Sequence, residues 1–192
     1  MLKSVELNAN TIVEYIAGVF ESHGDDEYLG EAVTMSEHML QGAWLAEQQG
    51  FDKEIIAGAL LHDIGHFVSE LGTFNMSDTK DRYHEDAGAV LLEPYFPRRV
   101  VDCVRHHVAA KRYLCAVEPE YYAQLSEASR HSLSLQGGPM SEDEVQQFSK
   151  IPNLDAVIAV RRLDDAGKVA GMDTPALTHF LPLIQKLVIR AA

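Results

Sequence analysis

The chain has 192 residues, 46% of them hydrophobic, which suffices for one domain with a substantial core. Lysine and arginine total 16 against 29 acidic residues, and the net charge of −13 argues against a nucleic-acid or anionic-membrane partner, so an anionic ligand would need a local basic cluster. No apolar run approaches the roughly 20 residues of a bilayer span, and Met1-Leu2-Lys3-Ser4-Val5-Glu6 lacks a signal-peptide core, so no membrane contact and a cytoplasmic location are expected.

Apolar residues recur at three- and four-residue spacing and few segments alternate, which predicts an all-α fold over 1–192. A first helix is expected from about Asn10 to Ser22, with Ile12, Ile16, Val19 and Phe20 inward and His23 at the surface. An acidic linker, 24–30, leads to a second helix from about Glu31 to Gln49, on which Glu31, Met35, His38, Gly42 and Leu45 share a face. His38 therefore points inward, either as a ligand or as a hydrogen-bonded core histidine.

Asp52 is the expected N-cap of a third helix that runs through Leu60-Leu61-His62-Asp63-Ile64-Gly65-His66. Two adjacent ionisable residues here follow an apolar run, and burying a charge without a partner is costly. A metal ion is the simplest partner; the alternative is a solvated pair beside a loop. His66, one turn on, is placed to touch the pair or a substrate.

A loop from about Glu70 to Lys80 should precede a fourth helix that starts near Asp81, sets His84, Gly88 and Leu91 on one face, and stops at Pro94. Pro97 opens the fifth helix, where its missing N–H does no harm. His107 continues the inner face of Val100, Cys103, Val104 and Lys111, whereas His106 continues that of Arg99, Asp102 and Tyr113, which faces water. Lys111 on the inner face is either an anion contact or a lysine snorkelling at a helix end.

A sixth helix, about Pro119 to Leu135, carries Ser126, Ser129 and His131 and gives way to the loop Gln136-Gly137-Gly138-Pro139-Met140. Ser141 and Glu144 form a capping box for a short helix. After Pro152, an eighth helix places Asp164 on a face with Val157, Val160 and Arg161, where a carboxylate could serve a metal or merely cap the helix end. Thr174-Pro175 starts a final helix through Leu187, interrupted by Pro182. Cys103 and Cys115 make no metal-type pair and read as reduced packing residues.

The inward set is thus His38, His62, Asp63, His84, His107 and Asp164. Six nitrogen and oxygen donors are too many for one tetrahedral zinc and suit two ions. Asp63 can bridge, with His38, His62 and Asp164 completing one ion and His84 and His107 leaving the other open. Iron, manganese, zinc and nickel all accept such donors, and the chemistry left open is hydrolysis by activated water or oxygen activation.

A distant histidine, a His-Asp pair and a late aspartate resemble the HD-domain superfamily, mostly phosphohydrolases, and His84 and His107 look like its dinuclear subset. Further, His107-Val108-Ala109-Ala110-Lys111-Arg112-Tyr113-Leu114 and the Gln136–Met140 stretch resemble the mixed-valent di-iron oxygenases that cleave the carbon–phosphorus bond of 1-hydroxy-2-aminoethylphosphonates. The resemblance implies a helical HD bundle with additional C-terminal helices, two irons (Fe2+/Fe3+) on the six residues above, and a small organophosphonate and O2 as reactants.

It also implies that Lys111, Ser129 and Arg161 contact the phosphonate, that Tyr28 and Glu31 lie near the iron and the substrate amine, and that His66 lies close to the bound substrate. One branch of the family yields glycine from the primary amine and another yields glycine betaine from the trimethylated amine. The match to the trimethylammonio branch is the closer, and cation–π attraction to Tyr28 would suit that head group. A 2-oxoglutarate-dependent hydroxylase acting first is a further implication. A hydrolytic HD enzyme and a degenerate HD domain that only binds are the competing readings.

Overall fold

Thr34, Asp52, Ser126 and Ser141 cap the helices that follow them and fix where those helices begin. The computed structural model describes residues 6–28, 30–69 and 79–189, so most of the loop expected at 70–80, residues 70–78, lies outside the described residues. Among the described residues there are eleven helices and no strand: α1 (Ile12–His23), α2 (Met35–Gln48), α3 (Lys53–Leu61), α4 (Gly65–Val68), α5 (His84–Leu92), α6 (Arg98–Val117), α7 (Tyr121–Gln124), α8 (Glu127–Leu135), α9 (Glu142–Phe148), α10 (Leu154–Ala166) and α11 (Leu177–Leu187). None is long and apolar enough to cross a membrane.

The all-α expectation holds, and so do the Asp52 N-cap, which accepts from the Glu54 and Ile55 amides, and the Ser141–Glu144 capping box. Several boundaries differ from the sequence reading. α2 starts four residues later than expected, because Thr34 and Glu37 form a reciprocal capping box that fixes its first turn, and Glu31 is left outside the helix. α5 starts at His84 rather than Asp81, after Tyr83 in the left-handed region at φ 50°. The single helix expected over 119–135 is two, split at Leu125-Ser126, where the Ser126 hydroxyl caps α8 by accepting the Ser129 amide. α11 starts at Leu177, with Pro182 inside it.

The largest departure concerns the central motif. α3 stops at Leu61, and 61–67 tightens into a turn in which Ile64, His66 and Phe67 each donate to the carbonyl three residues back. Tertiary packing dictates this break. A Cβ on Gly65 would stand 1.8 Å from the His84 carbonyl oxygen, and one on Gly88 3.0 Å from Val104. The turn is thereby pressed onto the start of α5 as α5 crosses α6. Gly65→Ala should therefore destabilise the fold by about 3 kcal/mol, the upper end for overpacking, read as a lowered denaturation midpoint, with metal retention falling in parallel.

α6 is the central strut, packed by α3, α5 and α10, while α2 lies across α3 and α10. The main core joins Ile16, Met39, Leu60, Leu61, Leu92, Phe96, Val104, Val157 and Phe180, and a satellite cluster of Leu114, Tyr121, Leu125 and Leu133 seats α7 and α8 on α6. Cys103 is a buried packing residue against Gly58, and burial pushes its thiol up, as the sequence suggested. Asp102, expected at the water face, is buried and accepts from Asn153 Nδ2 at 2.9 Å. The turn that starts α10 covers that side of α6. His106 is half-covered, edge-on to Phe148.

Candidate metal centre

The fold carries ring nitrogens and carboxylates from four helices and the 62–64 turn to one buried point. His38 comes from α2, His62 and Asp63 from the turn, His84 and His107 from α5 and α6, and Asp164 from the last turn of α10; all six are buried. Two donor groups share Asp63: His38 with His62, and His84 with His107. Asp63 Oδ2 lies 3.5 Å from His38 Nε2 and 3.4 Å from His62 Nε2, and its Oδ1 lies 3.2 Å from His84 Nε2 and 3.3 Å from His107 Nε2. Asp164 adds Oδ1 at 3.4 Å from His38 and Oδ2 at 3.8 Å from His62. The first group thus offers four residues, the second three and an open side.

Hydrogen bonding at the far side of the rings shows what this arrangement requires. Nδ1 of His38 lies 2.7 Å from the Gly167 carbonyl, Nδ1 of His62 2.8 Å from that of Ala59, and Nδ1 of His107 2.7 Å from that of Val104. A carbonyl only accepts, so each Nδ1 carries a proton and each Nε2 of a neutral ring presents a lone pair. Yet Nε2 of His38 faces Nε2 of His62 at 3.0 Å, and Nε2 of His84 faces that of His107 at 3.0 Å. The facing lone pairs of His38 and His62 need a cation between them, and an ion beside Asp63 Oδ1 would serve His84 and His107 in the same way. Asp63 Oδ2 and Asp164 Oδ1 are buried without a hydrogen-bond partner, which the first of these cations would supply. The residues present therefore fit a metal in each group.

Titration follows the same logic. Burial raises the Asp63 carboxyl, but His62 and then His107 and His38 outweigh it and hold it well below the usual carboxylate range. Burial opposes charge on His62, but Asp63 and Asp164 lift it to about 9; His84 also rises, through Asp63 and Glu85 against burial. Burial takes His107 down to about 4. Without a metal, a proton on one ring of each pair does the bridging.

A cavity of about 560 Å³, counted to its open mouth, lies over the three-residue group. Its walls include every substrate-side residue expected from the sequence: Tyr28, Glu31, His66, Lys111, Ser129 and Arg161. His66 stacks on His84 at 3.9 Å between ring centroids, and Tyr28 on His38 at 4.0 Å. Lys111 is buried and donates to Ser132 Oγ at 2.8 Å, and burial followed by Arg161 pushes its ammonium down to about 7. That excludes a snorkelling lysine and describes a site that needs an anion. Arg161 is held by Asp164 at 2.5 Å and by Asp165, which in turn accepts from Tyr121.

Lys168 was not foreseen. It lines the same cavity and donates to Ser129 Oγ at 2.9 Å. The run Arg161, Asp164, Asp165, Lys168 repeats at helical spacing, but Gly167 ends α10 and hides the signal. Ser126, Ser132 and Asp165 were likewise missed as supporting groups.

The HD domain family model matches residues 35–144. The chain belongs to the HD-domain family. The HD-domain match takes in five of the six donors and stops before Asp164, which α10 contributes. Among related proteins, the 1-hydroxy-2-(trimethylamino)ethylphosphonate dioxygenase (glycine-betaine-forming) of Leisingera caerulea is 64% identical over 95% of this chain and 93% of its own length. The hydroxymethylphosphonate dioxygenase of Gimesia maris is 41% identical over 87% of this chain and 85% of its own. An uncharacterized protein of Acanthamoeba polyphaga mimivirus is 35% identical over 95% of this chain and 83% of its own.

Proposed function

We propose that the chain catalyses the O2-dependent cleavage of the carbon–phosphorus bond of (1R)-1-hydroxy-2-(trimethylamino)ethylphosphonate, giving glycine betaine and phosphate, with a mixed-valent Fe2+/Fe3+ pair on His38, His62, Asp63, His84, His107 and Asp164. The observation that carries this reading is one cavity in which an anion-demanding lysine, Lys111, stands beside an open, three-residue metal group. The 64% identity to the betaine-forming relative supports the head group. The donor set runs from α2 to α10, so on this reading the whole chain works as a single domain.

When bound, the metal pair would supply Lewis acidity and a path for electrons to O2, the electrons coming in net from the hydroxyl-bearing carbon of the substrate. The chain's own residues do the rest. Lys111 and Arg161 hold phosphonate oxygens, with Ser129 beside them, and Asp165 keeps the guanidinium aimed. His66, which burial and then His84 keep neutral, stacks flat against His84 and offers a ring edge to the substrate without adding charge. The Tyr28 ring covers His38 and shields that group from water, while its face and the Glu31 carboxylate offer a cationic head group an aromatic surface and a counter-charge.

The second reading is the same reaction on 2-amino-1-hydroxyethylphosphonate, giving glycine; it draws on the Glu31 carboxylate, which a primary ammonium could reach with N–H donors. Phosphate release by iron-loaded protein from both compounds, with and without O2, tests the proposal. O2-dependent release from the trimethylated compound is expected. Release from the primary amine alone would move the substrate to the second reading, and O2-independent turnover of phosphate esters would make the centre hydrolytic.

A further inference from the structure

Glu31 and Lys168 meet at the N-terminus of α8, each held by a serine of its first turn. Ser126 Oγ donates to Glu31 Oε1 at 2.5 Å and accepts the Ser129 amide, while Ser129 Oγ accepts from Lys168 Nζ. The lysine ammonium stands 3.7 Å from Glu31 Oε1 and 3.7 Å from Asp164 Oδ1, and 5.7 Å from the centroid of the Tyr28 ring. A carboxylate and an aromatic face are the two features that would receive an ammonium head group, and a cation belonging to the chain already occupies them.

The main chain around this lysine is anchored. Gln41 Nε2 donates to the Val169 carbonyl and Gln41 Oε1 accepts the Val169 amide, both at 2.9 Å. The side chain can therefore leave while its backbone stays.

Resting on the proposed function, we infer that Lys168 is a specificity-determining residue whose ammonium holds the place of the substrate's quaternary ammonium and must be displaced when that substrate binds. A tethered cation competes with a free one at an effective concentration in the millimolar range or above. Weak cations are thereby kept out of the subsite. A substrate anchored at the same time by its phosphonate on Lys111 and Arg161 can overcome the competition. The exchange replaces one cation by another beside Glu31, so no carboxylate is left buried without a counter-charge, and the freed lysine remains in a cavity that has just gained an anion. A phosphonate without an amine, such as hydroxymethylphosphonate, would leave Lys168 in place.

The test compares metal-loaded wild type with Lys168→Met and with Lys168→Gln, which retains a hydrogen-bond donor for Ser129; melting temperatures confirm that both variants fold. Calorimetric titration with tetramethylammonium chloride and with inorganic phosphate is run beside KM and kcat for the trimethylammonio substrate and for hydroxymethylphosphonate. Both variants should bind tetramethylammonium about tenfold or more tighter than wild type. They should also have a lower KM for the trimethylammonio substrate at similar kcat, and should bind inorganic phosphate as wild type does. Weaker binding of inorganic phosphate together with raised KM for both phosphonates would make Lys168 a phosphonate contact and overturn the inference, as would unchanged tetramethylammonium binding. If wild type turns over no phosphonate, the functional reading fails, and tighter tetramethylammonium binding in the variants would still establish the displaced-cation subsite.

Discussion

Asp63→Asn should empty both metal groups at once. Each carboxylate oxygen serves one histidine pair, and an amide offers one weaker acceptor and an N–H2 that cannot face a cation. Loss of an outer hydrogen-bond partner alone costs roughly 10–100-fold in metal affinity, so loss of the bridging charge should exceed about 100-fold and abolish O2-dependent turnover. In the metal-free protein the same change leaves the protonated ring of His62 without its main counter-charge and removes the carboxylate that lifts His84, a loss on the order of 3–5 kcal/mol. His84→Ala touches only the pair that shares Oδ1. Metal analysis after iron loading should therefore find the four-residue group of His84→Ala still filled and both groups of Asp63→Asn empty. Wild-type metal content in Asp63→Asn would disprove the bridging role.

Lys111→Met should have opposite effects on binding and on stability. Phosphonate affinity should fall about 100-fold, the equivalent of roughly 3 kcal/mol, because the cation buried to receive the anion is gone. The ligand-free fold should gain. The Lys111 ammonium titrates at about 7 when folded against 10.5 ordinarily, so between these values the unfolded chain binds the extra proton. The native lysine then destabilises by up to about 4 kcal/mol at or below pH 7, and this penalty shrinks as pH rises toward 10.5. Denaturation of wild type and variant without ligand at pH 7 and at pH 9.5 measures it. The variant should be the more stable at pH 7, with a clearly smaller margin at pH 9.5; an equal margin would show that burial does not penalise the Lys111 ammonium.

Helical spacing was enough to turn His38, His107, Lys111 and Asp164 inward, because each sits within a regular helix whose apolar neighbours declare the face. The break at His62-Asp63 was not legible. His62 and Ile64 keep right-handed helical backbone angles, and what shortens the turn is contact between Gly65 and the distant His84 carbonyl. Glu31 falls on the apolar period of α2 but lies outside it, because the capping box Thr34-Met35-Ser36-Glu37, itself legible in the sequence, starts the helix later. Lys168 fell past Gly167, where periodicity no longer applies, and only the return of the chain past Gln41 brings it to Ser129.

The three main-chain carbonyls behind His38, His62 and His107 have a kinetic consequence. Two of them, at Ala59 and Val104, are local to their own ring, but the carbonyl behind His38 belongs to Gly167, on the far side of the sequence from α2. An ion at the four-residue group therefore cross-links early and late chain through His38, Asp63 and Asp164, and α2 cannot peel away while the ion stays. The lifetime of the native state should then be set by metal departure, so that chelator concentration, more than denaturant concentration, governs the observed unfolding rate of the loaded protein.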